Sequence, residues 1–166
     1  MDLDSALTGK PAEGAGATEI LRADHREVRR LFAEYERVKH DGHAAAAVAQ
    51  TLCMQLELHD EVEREVFYPA VREASPEVVD AAMDAHEDIA AAADDLRARA
   101  DDGEPLDDAF ARLRALVERH VRVEEEELFP AVETQRAAML CEIGREIVTR
   151  KEALTRSTES FEGPAT

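Results

Sequence analysis

One pattern occurs twice in this chain, and the second copy lies sixty-one residues after the first. His59-Asp60-Glu61-Val62-Glu63 returns as His120-Val121-Arg122-Val123-Glu124, and Phe67-Tyr68-Pro69 returns as Leu128-Phe129-Pro130. The same offset carries His25 onto His86 and Gly42 onto Gly103. In each half, a lone histidine precedes a His-x-x-x-Glu pair by thirty-four residues. An internal repeat is the first thing to read, because it dictates how the halves must be built.

The spacing has a mechanical meaning. Gly42 is midway between His25 and His59, and Gly103 is midway between His86 and His120. A helical hairpin turning at each glycine sets its two histidines at equal height, roughly 25 Å from the turn at ~1.5 Å per residue. A glutamate four residues after a histidine shares its helix face. The expected fold is therefore all-α, an up-down-up-down four-helix bundle enclosing four imidazoles and two carboxylates.

The apolar pattern supports this. Leu21, His25, Val28, Phe32 and Tyr35 recur at helical spacing, with Thr18 as the expected N-cap. A second helix from near Ala44 presents Leu52, Leu56, His59, Glu63 and Val66 on one face, and Pro69 is expected to kink or end it. Ser75-Pro76-Glu77 reads as the start of a third helix, with a capping hydroxyl and proline at the first position. Its inward residues are Val79, Met83, His86, Ala90, Ala93 and Leu96. The fourth, opened by Pro105, carries Phe110, Leu113, Val117, His120, Glu124 and Leu128. Ile143, Ile147 and Leu154 predict a fifth helix from about Gln135, packed on its own bundle. The expected divisions are a flexible arm at 1–17, the bundle at 18–133, the C-terminal helix at 134–156 and a disordered tail at 157–166.

Two carboxylates held inside a bundle cost several kcal/mol each unless cations compensate them. No arginine occupies the inward stripes, so bound metal is the economical answer. Imidazole plus carboxylate without thiolate suits iron, manganese or zinc. Six donors exceed one tetrahedral zinc. Glu63 and Glu124 shared between two ions, with two histidines on each, match the di-iron arrangement of helical bundles. His25 with His59, and His86 with His120, is the pairing the hairpins suggest; a crossed pairing is the alternative. The expected cofactor is two iron ions, oxo- or hydroxo-bridged and also bridged by both glutamates.

With these residues in place, the chain resembles the hemerythrin-like, HHE cation-binding domain family over about residues 18–133. The resemblance rests on His25, His86, the His59–Glu63 and His120–Glu124 pairs, and the two aromatic-proline endings. It implies a non-haem di-iron centre, whose family members carry or sense oxygen, sense iron, decompose peroxide, act on nitric oxide or help repair iron centres. One departure separates the chain from the oxygen carrier, which has two histidines one turn apart on its third helix. Here Ala90 follows His86 by four residues. The set of four His and two Glu looks more like the iron-centre repair proteins, without their separate Cys-containing domain.

Other residues read as ordinary structure. His40 and His43 belong to a surface loop, Glu125 and Glu126 to a solvated face, and Tyr35 and Tyr68 to packing. Glu127, one turn beyond Glu124, is a candidate supporting acid at the rim of the site. Cys53 and Cys141 are too few and too far apart for a disulfide framework, which suggests a reducing cytoplasm. The net charge of −18 speaks against nucleic acid and anionic membranes as partners. No apolar run approaches the ~20 residues of a membrane span. A monomer or weak homodimer is expected. Two function classes fit: an oxidoreductase acting on O2, H2O2 or NO, or a non-catalytic binder that senses, stores or donates iron or oxygen.

Overall fold

The structure, a computed structural model, describes residues 14–161, with side chains through 157. All the regular structure among them is helical. We number five long helices. α1 is Ala17–Val38. α2 is Gly42–Val62, continued by a π-helical turn at Glu63–Phe67 and by Tyr68–Val71. α3 is Pro76–Asp102. α4 is Asp107–Val123, continued by a second π turn at Glu124–Leu128 and by Phe129–Gln135. α5 is Leu140–Phe161.

Local signals set the ends, not always as the sequence suggests. Asp41 caps α2 by accepting from the His43 and Ala44 amides. Gly42 is already helical, so the first reversal runs through Lys39, His40 and Asp41. The second does use its glycine. Gly103 takes a left-handed φ of 68°, and the Glu104 amide bonds the Arg99 carbonyl at 2.9 Å, closing α3. Thr18 is not a cap, because α1 starts at Ala17 behind Gly16 and the Thr18 hydroxyl donates to Glu133 at 2.8 Å. Ser75 stands at the cap position of α3, but its hydroxyl makes no capping bond.

The hairpins α1–α2 and α3–α4 pack along their lengths, α2 lies on α3, and α1 touches α4. Burial falls into two apolar clusters. One holds Phe32, Tyr35, Leu52, Leu96, Phe110 and Leu113, toward the two reversals. The other holds Leu21, Val62, Phe67, Val79, Leu128 and Phe129, toward the far end. α5 rests against α1 and α2 and contributes Ile143 and Ile147 to the second cluster. Each fully buried isoleucine contributes about 1.5–3 kcal/mol. At Gly144 a Cβ would lie 2.5 Å from the Ala15 carbonyl oxygen, so the segment leading into α1 crosses α5 there.

α5 is separate from α4: Arg136 leaves helical geometry and a 3-10 turn at Ala137–Met139 intervenes. It begins at Leu140 rather than near Gln135 and runs to Phe161, past the expected tail boundary at Ser157. The rest of that tail, and residues 1–13 of the expected arm, lie outside the described residues. No helix among the described residues is long and apolar enough to cross a membrane.

Candidate metal centre

Between the two apolar clusters lies a single polar layer. α1 supplies His25, α2 supplies His59 and Glu63, α3 supplies His86, and α4 supplies His120 and Glu124. All six are buried, and both glutamates have no exposed surface. The stripes predicted on α1 and α4 are buried residue for residue.

Both glutamates open π turns. The Tyr68 amide bonds the Glu63 carbonyl and the Phe129 amide bonds the Glu124 carbonyl, five residues back in each case. Pro69 and Pro130 have no N–H to continue an α ladder. The widened turn absorbs that loss, and both helices run on past their prolines instead of ending. π turns of this kind are common at functional sites. The extra residue also rotates the next turn of each helix. Val66, expected inward, is only partly buried, while Phe67 and Tyr68 are fully buried. On α3, Ala82 and Ile89 are buried, Met83 is partly buried, and Ala90 is exposed rather than inward.

The ligand-type atoms fall into two groups sharing both glutamates: His25, His59, Glu63 and Glu124, and Glu63, His86, His120 and Glu124. Within each, one atom from every residue lies within 4.8 Å of the others. Glu63 divides its oxygens, Oε1 lying 3.2 Å from His59 Nε2 and Oε2 lying 3.1 Å from His86 Nε2. Glu124 Oε2 lies 3.2 Å from His25 Nε2 and 3.3 Å from His120 Nε2. In the first group these approaches are not hydrogen bonds. His25 Nε2, His59 Nε2, Glu63 Oε1 and Glu124 Oε2 are all buried without a hydrogen-bond partner. Buried polar atoms are rarely left so. Four orphaned donors converging on one point fit a cation.

Carboxylates outside the layer fix the rings, each reaching from one helix to a histidine on another. Asp24 on α1 meets His59 Nδ1 at 3.2 Å, and Glu125 on α4 meets His25 Nδ1 at 2.9 Å. Asp60 on α2 bonds His86 Nδ1. Each leaves Nε2 free to face the centre, the usual support for a metal-binding imidazole. Basic residues hold the acids in turn: Lys151 of α5 on Asp24, Arg29 on Glu125, and Arg64 on Asp60. Burial would raise the pKa of Asp24, Asp60 and Glu125, but these partners hold all three below the usual range.

Inside the layer, burial would raise the Glu63 pKa, yet the adjacent His59 and His86 imidazoles hold it well below the ordinary value. Burial opposes the charge on His86, but Asp60 and Glu63 raise its pKa to about 9. His120 is lowered, by burial first. Among the described residues, the ion pairs of Glu63 and Glu124 are all with histidines.

Sequence reasoning missed four residues here. Asp24, Asp60 and Glu125 flank the inward stripes, and Glu125 leaves the solvated face assigned to it. Glu127, the expected rim acid, is exposed. The fourth is Tyr68, whose hydroxyl donates to Glu124 Oε1 at 2.7 Å and lies 3.0 Å from Glu63 Oε2 and from His86 Nε2. Tyr35 packs as expected, stacked on Phe110 with its hydroxyl on Asp107. His40 and His43 are exposed.

A cavity of about 310 Å3 opens between α2 and α3 and reaches all four histidines. Leu56, Ile89, Ala90 and Ala93 line its walls. At its mouth Arg97 donates to Glu57 at 3.0 Å, joining the two helices.

No curated protein and no solved structure matched the chain. The family model described as Hemerythrin HHE cation binding domain matches residues 16–132. That span contains all six converging residues, and the chain belongs to the hemerythrin HHE cation-binding family.

Proposed function

We propose that this protein is a non-haem di-iron protein that reacts with small molecules such as O2, H2O2 or NO. The observation that carries this is the orphaned set of His25, His59, Glu63 and Glu124 atoms, adjoining a second group built from the same glutamates. One ion would be held by His25 and His59, the other by His86 and His120, with Glu63 and Glu124 between them. The architecture accords with an up-down-up-down four-helix bundle over 18–133, with α5 laid on the outer side of α1 and α2. When bound, iron supplies the redox chemistry. The chain's own part is to hold the donors rigid, to fix the imidazoles through Asp24, Asp60 and Glu125, and to admit small molecules along the walled cavity. Free Cys53 and Cys141 accord with a cytoplasmic setting.

A second reading, a non-catalytic iron sensor, store or donor, uses the same donors. Turnover of hydrogen peroxide and of nitric oxide by the purified iron form, set beside iron release to a chelator, separates the two. Multiple turnovers with iron retained are expected. Stoichiometric reaction with ready iron release favours the binder.

A further inference from the structure

At one buried position beside the polar layer the repeat exchanges a phenol for a phenyl ring. The offset that maps His86 onto His25 also maps Phe129 onto Tyr68. Both rings attend a histidine: Phe129 stacks on His25 with centroids 5.7 Å apart, and the Tyr68 ring lies 5.5 Å from His86. Both are essentially without exposed surface. A phenyl ring therefore satisfies the packing, and the hydroxyl on one side only needs another explanation. Burying a hydroxyl has a cost unless it finds partners.

The partners are ligand atoms. Tyr68 Oη lies 2.7 Å from Glu124 Oε1, 3.0 Å from Glu63 Oε2 and 3.0 Å from His86 Nε2. His86 Nε2 is itself 2.9 Å from His120 Nε2 and 3.1 Å from Glu63 Oε2. Neighbouring donors on one ion, with bonds of roughly 2.1 Å at right angles, stand about 3.0 Å apart. The phenol oxygen has that spacing from three members of the second group at once. A hydroxyl has one proton and can satisfy one of them by donation. On the opposite side, where Phe129 has no oxygen, the four ligand-type atoms of the first group are left without a hydrogen-bond partner.

Given the di-iron reading above, we infer that Tyr68 is a fifth protein ligand to the His86/His120 ion, as a phenolate. Its proton leaves to solvent on metal binding, as with other protonated ligands. The His25/His59 ion keeps four protein donors, so the two ions are unequal and exogenous molecules bind preferentially at the His25/His59 ion.

The test is resonance Raman spectroscopy of the air-oxidised protein, with iron counted on the same samples by elemental analysis. Only two tyrosines occur in the chain, and Tyr35 lies on Asp107 in the other cluster. Wild type and Tyr35→Phe should both show tyrosinate ring modes enhanced within a visible phenolate-to-iron absorption band. Tyr68→Phe, which copies the packing of Phe129, should lose modes and band while still binding two irons. Two irons in the wild type without tyrosinate modes, or modes that persist in Tyr68→Phe, overturn the ligand. Fewer than two irons in the wild type overturns the di-iron reading and the ligand with it. The wild-type spectrum decides even if the variant does not fold.

Discussion

On the di-iron proposal, Asp24→Ala should separate the two metals through a residue that ligates neither. Asp24 Oδ2 accepts from His59 Nδ1 at 3.2 Å, and Lys151 of α5 holds both carboxylate oxygens. Removing the carboxylate frees the His59 ring to turn and leaves Lys151 without its acid. Loss of such an outer partner typically costs 10–100-fold in metal affinity. At about 1.4 kcal/mol per tenfold, that is about 1.4–2.8 kcal/mol. The loss should fall on the ion proposed at His25 and His59, because His86 is steadied separately by Asp60. Chelator competition on the loaded protein should change from two tightly held ions to one tight and one weak. The metal-free variant should still fold, since the six-residue layer and both apolar clusters are untouched. Two ions held as tightly as in wild type would refute the coupling of α5 and Asp24 to the site. Equal weakening of both would refute the division between them.

Glu63→Ala removes a donor common to both groups and should lower bound metal from two ions toward none, whereas His25→Ala should leave about one; metal content per chain checks both. Ile147→Ala empties a fully buried site between α5 and the bundle and should cost about 2–5 kcal/mol in urea denaturation of the metal-free protein. A cost below about 1 kcal/mol would mean that α5 is not held as described. Metal-free stability should also depend on pH from both sides. Asp24 and Asp60 have folded pKa values below 3.8, so their contribution is present above that pH and lost as pH falls through the lowered values. His86 is raised from 6.5 to about 9, so its contribution is full below 6.5 and lost as pH rises through 9. His59, also raised, moves with His86, and His120, lowered, moves against them. Thermal midpoints should therefore fall between pH 6.5 and 9 in the metal-free protein, and a flat profile there would contradict the histidine–carboxylate pairing.

The six residues of the polar layer were legible because one number, the offset of sixty-one, fixes their height and a spacing of four fixes their face. Their meeting in space follows from helical geometry alone. What periodicity could not supply lies just off that stripe. Asp24, Asp60 and Glu125 are chain neighbours of His25, His59 and Glu124, about 100° away round the helix, where a stripe count assigns solvent. Each serves a histidine on a different helix, which only packing reveals. Tyr68 was hidden by the π turn, since an unbroken 3.6 period puts a residue five after Glu63 off the inward face, and the extra residue brings it round. The available signal was chemical: the repeat substitutes Phe129 for Tyr68, a hydroxyl present in one copy only.

Two iron ions sharing Glu63 and Glu124 are what the proposed function requires. Anomalous diffraction at the iron edge, from crystals of protein purified without added metal, tests it most directly. Two peaks are predicted, one among His25, His59 and the two glutamates, the other among His86, His120 and the same glutamates. A single peak, peaks away from this layer, or a signal at the zinc edge alone would contradict it.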